Sequence, residues 1–134
     1  MKLYNFHNET FEVELEFLVL KNDKNTKKVV NHLQKRGFDL SDSKELVNHA
    51  AFCTEVLSGG VILIFINLDM FTTCKGGKIE SIMYLQHECN HFRQRTLESI
   101  HETVDKTDLE AHLRISDWAF KKCMSTKFFK SLLK

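Results

Sequence analysis

At 134 residues, 43% hydrophobic and 28% charged, the chain has ordinary globular composition and enough length to bury one core, so a single domain over 1–134 is expected. A formal net charge of +1 lacks the basic excess of a dedicated nucleic-acid binder, and no apolar run approaches the roughly 20 residues of a membrane span. The opening Met1-Lys2-Leu3-Tyr4-Asn5 has no apolar stretch of a secretory signal, which points to the cytoplasm; Cys53, Cys74, Cys89 and Cys123 then read as free thiols, with no C-x-x-C pair to make a cysteine zinc site.

The first predicted element is a strand over 11–17, in which Phe11, Val13, Leu15 and Phe17 alternate with Glu12, Glu14 and Glu16. That pattern puts four apolar side chains on one face and three glutamates on a solvated one. From Asn25 to Arg36, Val29, Val30 and Leu33 recur at helical spacing and Gly37 follows as a C-terminal cap; a shorter helix is expected over Asp42 to Asn48. Ala51 to Leu57 and Val61 to Leu68 flank Ser58-Gly59-Gly60 as the arms of a hairpin, the second arm apolar on both faces and therefore central. After Gly76-Gly77 a long helix is predicted from Lys78 to Ile100, with Ile82, Leu85, Cys89, Phe92, Thr96 and Ile100 on its core-facing stripe. His87 and His91 fall on nearly the opposite side, with Tyr84 and Glu98. Two closing helices cover Thr107 to Cys123 and Thr126 to Leu133. In the first of these, Leu109, Leu113, Ser116 and Phe120 make the buried stripe, and Glu110 and Asp117 lie side by side just off it. His7, His32 and His49 fall in no pattern that points to a role.

The chemistry sits in His87-Glu88-Cys89-Asn90-His91, an H-E-x-x-H on the long helix. Residues four apart share a helix face, so two imidazoles reach one metal ion while the adjacent glutamate stands near a water on that ion. A catalytic zinc takes three protein ligands and keeps one position open. Glu110, 19 residues beyond His91 at the start of the next helix, is the preferred third ligand. Asp105 and Asp108 are shorter and lie in the connecting loop, and the direction of His112 differs from that of Glu110 by more than a right angle. Glu88 is the expected general base: zinc lowers the pKa of its water towards about 7, and the carboxylate takes the proton as that water attacks a peptide or amide carbonyl, then passes it to the leaving amine. The oxyanion needs a further donor, and Tyr84, Arg95, His101 and His112 all stay open for that role. Asp117 is placed to support a ligand imidazole, and Cys89 falls in the core stripe.

With these residues the chain resembles a minimal zincin of the gluzincin type, H-E-x-x-H followed by a glutamate on the next helix. More narrowly it is similar to small zincin-like proteins encoded by bacteriophages and mobile elements. The likeness runs from the early strand through Gly37-Phe38-Asp39-Leu40-Ser41-Asp42 and the Ser58-Gly59-Gly60 hairpin to Asp108-Leu109-Glu110-Ala111. It implies an α+β fold, with a small, mainly antiparallel sheet packed on the H-E-x-x-H helix and a following glutamate-bearing helix. It further implies zinc held by His87, His91 and Glu110, with Glu88 catalytic. One departure is Phe92-Arg93-Gln94-Arg95, where such helices continue with small apolar residues; Arg93 and Arg95 would favour an acidic substrate or simply solvate the helix. The expected function is that of a zinc metallopeptidase, its peptide or protein substrate added as a strand to a sheet edge near Asn67 to Thr73. The alternative is a zincin-shaped binding protein that acts on a host protein by contact, with its metal structural or absent. Neither expectation involves nucleic acid or a membrane.

Overall fold

A computed structural model describes residues 2–20, 26–57, 59–70, 77–99 and 109–133, with the side chains of 77, 109–111 and 132–133 outside the description. Its core is built on β4 (Val61–Asn67), whose residues are all buried, as apolar patterning on both faces requires of a central strand. On one side β4 pairs in parallel with β2 (Val13–Leu20), and β2 pairs antiparallel with β1 (Lys2–Asn8). On the other side it pairs antiparallel with the short edge strand β3 (Ala51–Cys53), giving the order β1-β2-β4-β3.

The fold class is α+β as expected, but the sheet is mixed: its central pairing is parallel. A parallel pair cannot be closed by a hairpin, and the crossover is made by α1 (Lys27–Lys35) and α2 (Leu40–Leu46). β1 is a strand the sequence did not advertise, because its apolar and polar residues do not alternate cleanly. Phe11 and Glu12 belong to the turn after it, where Asn8 Oδ1 accepts from the Phe11 N–H at 3.1 Å and Glu12 adopts φ 53°.

α1 ends as its glycine predicted. The Gly37 N–H donates to Gln34 and the Phe38 N–H to Leu33, with Gly37 at φ 109°, and Phe38 folds back onto the cluster that contains Leu33. α2 begins earlier than its pattern suggested, because Asp39 caps it by accepting from the Asp42 N–H at 2.8 Å. The β3–β4 hairpin forms as expected, but its first arm is a strand only over Ala51–Cys53 rather than to Leu57: the Leu57 N–H donates to Val61 at 2.7 Å as an isolated bridge, and Gly59 and Gly60 take φ 82° and 74°. Gly60→Ala forces a Cβ into that left-handed backbone and is expected to cost about 1–2 kcal/mol, read as a lower urea midpoint with an unchanged slope.

Helices cover both faces of the sheet. α1 and α2 bury Val29, Val30, Leu33 and Val47 against Leu18, Leu20, Leu63 and Phe65. The other face packs Leu15, Phe17, Ile62 and Ile64 against α3 (Gly77–Ser99), α4 (Leu109–Met124) and α5 (Lys127–Leu133). Among the described residues, no helix is long and apolar enough to cross a membrane.

Of the three glutamates expected on a solvated face, Glu12 is exposed and Glu14 half-exposed, whereas Glu16 departs from expectation. Glu16 is only 1% exposed and lies under α1, bonded to His32 Nε2 and paired with the Arg36 guanidinium at 2.7 Å. β2 is an interior strand with helices on both sides, so its even-numbered face passes from half-exposed Glu14 to buried Glu16, Leu18 and Leu20. Arg36 and His32 stand one helical turn apart on α1, which lets both reach the same carboxylate.

Candidate metal centre

α3 buries Ser81, Leu85, Cys89, Phe92 and Thr96, close to the stripe its periodicity predicted, and packs over β3 and β4. Ile82 is half-buried, and Ile100 lies outside the described residues. The opposite face carries His87, exposed, and His91, half-buried. Their Nε2 atoms stand 3.0 Å apart, with the rings inclined at 80°. Two nitrogens at tetrahedral angles on one zinc, each about 2.0–2.1 Å from it, would be about 3.3 Å apart. The pair is therefore arranged for chelation with little movement of either ring.

A hydrogen bond fixes the orientation of His91. Its Nδ1 lies 3.2 Å from Gln94 Oε1, an acceptor; in the tautomer that carries the proton on Nδ1, the Nε2 lone pair faces His87. A metal-binding imidazole is commonly held this way, by a bond to its other nitrogen. The sequence had assigned that support to Asp117, which is exposed; Gln94, one turn from His91 on the same helix, supplies it instead.

Glu88 is 6% exposed, on the flank of α3 between the histidine face and the core. Burial pushes its carboxyl above the ordinary glutamate value, opposed by the charges of His91, His87 and His49. Its own field in turn raises the Cys53 thiol, after burial, which places the carboxylate beside β3. A carboxyl whose pKa is raised in this direction is, once ionised, a stronger proton acceptor than an ordinary glutamate. His49, which precedes β3, thus belongs to the surroundings of Glu88, although no motif singled it out. Its signal is tertiary and lies in the hairpin that brings β3 under α3.

Glu88 also predicts a pH signature in metal-free protein. Because its folded-state pKa is raised, wild-type stability falls as pH climbs from near the ordinary value of 4.5 through that higher pKa. Glu88→Gln is expected to match wild type below this window and to exceed it in Tm at neutral pH. Melting curves with chelator, taken across the window, check this; a difference independent of pH would contradict it.

The other expected site residues fare unequally. Glu110 lies in the first turn of α4, but its side chain is outside the described residues, as are His101, Asp105 and Asp108 altogether. Among the described residues, no group of three or more His, Cys, Asp or Glu side chains is arranged to hold a metal; the histidine pair supplies two ligands. The buried stripe of α4 is rotated from the predicted one. His112, Ile115, Ser116, Ala119 and Cys123 face inward, whereas Leu113 is exposed and Phe120 only half-buried. Small Ala119 and Cys123 let α4 sit close to α3, and Trp118 stacks on Phe92 with ring centroids 6.0 Å apart.

Of the oxyanion candidates, Tyr84 lines a cavity with Met83 and His87. Arg95 pairs with Glu98 at 3.2 Å, and His112 is buried at 5% exposure. No protein-family model, curated protein or solved structure matches the chain.

Of the sheet edge expected near Asn67 to Thr73, only the first four residues are described, and Leu68–Met70 form a 3-10 turn. Asn67 ends β4, which is paired on both sides, while 71–73 lie outside the described residues. The edge strand under α3 is β3.

Proposed function

We propose that the chain is a zinc-dependent hydrolase of the metallopeptidase type, with His87, His91 and Glu110 as ligands and Glu88 as the proton-transferring base. The observation that carries this reading is the approach of the two Nε2 atoms to 3.0 Å, with a buried glutamate beside them whose carboxyl is held above its usual range. The residues present fit the metal: two converging imidazoles, one of them oriented by Gln94. Zinc, when bound, supplies Lewis acidity towards a water molecule and a carbonyl oxygen.

The chain's own groups do the rest. With its Nδ1 proton on Gln94 Oε1, His91 would offer Nε2 to the metal. His87 would bind through Nε2 with its proton on Nδ1, and because a protonated imidazole cannot ligate, loading would be favoured as pH rises through the imidazole range. Glu88 accepts a proton from the attacking water and returns it to the leaving amine. Its burial keeps bulk water from competing for that proton. The outer edge of β3, which pairs with no other strand among the described residues, lies under the same helix and offers backbone groups on which an extended peptide can lie as an added strand.

Digestion of a peptide mixture by zinc-loaded protein tests the proposal. New termini are expected with wild type and not with Glu88→Gln. Zinc bound without any cleavage would leave the alternative, a zincin-shaped protein that acts by contact with a partner.

A further inference from the structure

At the edge of the sheet opposite β3, β1 pairs with β2 alone, so one side of its backbone meets no other strand among the described residues. α5 stands over that edge. Phe129 anchors the helix in the core, its ring centroid 5.9 Å from that of Phe17, and Phe128 meets Tyr4 edge-on at 6.5 Å. Between strand and helix is a recess of about 560 Å³, lined by Lys2, Leu3, Tyr4, Lys127, Phe128 and Ser131. Leu3, Tyr4 and Phe128 are half-buried in it, whereas Lys2, Lys127 and Ser131 are exposed around them. Lys130 borders an adjoining recess that shares Lys127 and Ser131. Residues 118–134 include five lysines and no acidic residue, in a chain whose formal net charge is only +1. None of Lys2, Lys127 and Lys130 forms an ion pair among the described residues.

We propose that this groove docks an extended acidic segment of a partner protein, added as a strand to β1, with one apolar side chain in the recess and carboxylates against the lysines. The groove is at the far edge of the sheet from the candidate metal centre, which lies over β3 and β4, and the proposal does not rest on the peptidase reading. Alternation along a strand puts every second residue on one face. An occupant with the pattern acid-x-apolar-x-acid therefore fills the recess with its central residue and meets Lys2, Lys127 and Lys130 with its acids. Two features favour a peptide over a lipid surface or a nucleic acid. The apolar groups are recessed between two elements, whereas a membrane surface is entered by protruding ones. The unpaired side of β1 also offers main-chain donors and acceptors in the spacing of an extended polypeptide. Lysines on an edge strand can serve simply to prevent edge-to-edge pairing, but a guard of that kind needs no apolar recess beside it.

The test uses the full chain, in chelator and after zinc loading, with short peptides centred on Glu-Val-Phe-Val-Glu, Lys-Val-Phe-Val-Lys or Glu-Val-Ser-Val-Glu. Calorimetry is expected to show the first bound about tenfold more tightly than either control, what two or three exposed ion pairs or one buried ring supply. Its binding should weaken with added salt and be indifferent to zinc. Amide resonances of Lys2 to Phe6 should shift on binding, and those of Ala51 to Cys53 should not. Lys127→Glu combined with Lys130→Glu, both at exposed positions, should abolish the preference for the acidic peptide with far-UV circular dichroism unchanged. Equal affinity for the three peptides, shifts at β3 instead of β1, binding that requires zinc, or a preference that survives the double substitution would overturn the proposal. No peptide binding would overturn it too and leave the lysines as a guard on the edge. Tighter binding to phosphatidylserine vesicles or to an oligonucleotide than to the acidic peptide would assign the lysines to that ligand and likewise refute it.

Discussion

Glu88→Gln is expected to lower peptide turnover by about 10²–10⁴-fold while leaving zinc bound, the usual range for loss of a general base. The substitution keeps the shape and removes the proton acceptor. Glu88 neighbours the histidine pair but is not one of the proposed ligands, and the hydrogen bond that orients His91 comes from Gln94, not from Glu88. The loss should therefore fall on kcat more than on KM, since the proton moves in the transition state and not in the bound ground state. A variant equally impaired in zinc content would show that Glu88 holds the site together; a variant with full turnover would remove it from the chemistry.

Arg36→Met is expected to produce the largest loss of stability among single surface-facing changes, about 3 kcal/mol, or a fall in Tm of roughly 10 °C. Glu16 is almost fully buried between β2 and α1 and is neutralised from the helix side by Arg36 and His32. Removing the guanidinium leaves a buried carboxylate with only the imidazole. The magnitude sits at the lower end for broken buried pairs because His32 remains and because Arg36 is partly exposed. Glu16→Met combined with Arg36→Met should recover most of the loss, since an apolar pair needs no desolvated charge. Urea unfolding of the two single variants and the double variant reads this as a coupling energy. Additive losses would mean that the ion pair is incidental to packing.

How legible this molecule is from its sequence depends on how local each signal is. β4 and α3 carry their periodicity within a few residues, and both were placed within one residue of their observed limits. The histidine pair is equally local, because an interval of four on a helix is enough to bring two rings together. Glu16 was misread because the residues that make its burial tolerable, His32 and Arg36, arrive from another element. An alternating strand looks the same whether its polar face meets water or a helix. The rotation of α4 has a similar origin: its inward face is chosen by the small residues that fit α3, and Leu113 loses to Ala119 despite its greater hydrophobicity. His49 was invisible for the same reason, since its nearness to Glu88 exists only once β3 lies beneath the helix. The parallel pairing of β2 with β4 likewise follows from a crossover that no single strand encodes.

The most direct test of the central claim is the metal content of the purified full chain after zinc supplementation and removal of excess metal. About one zinc per chain is expected in wild type, with the metal lost in His91→Ala and in Glu110→Ala, because a site of three protein ligands holds poorly on two. Gln94→Ala should retain zinc with affinity reduced about 10–100-fold, as loss of an orienting hydrogen bond predicts. Protein that takes up no zinc, or zinc that is indifferent to His91→Ala, would contradict the account.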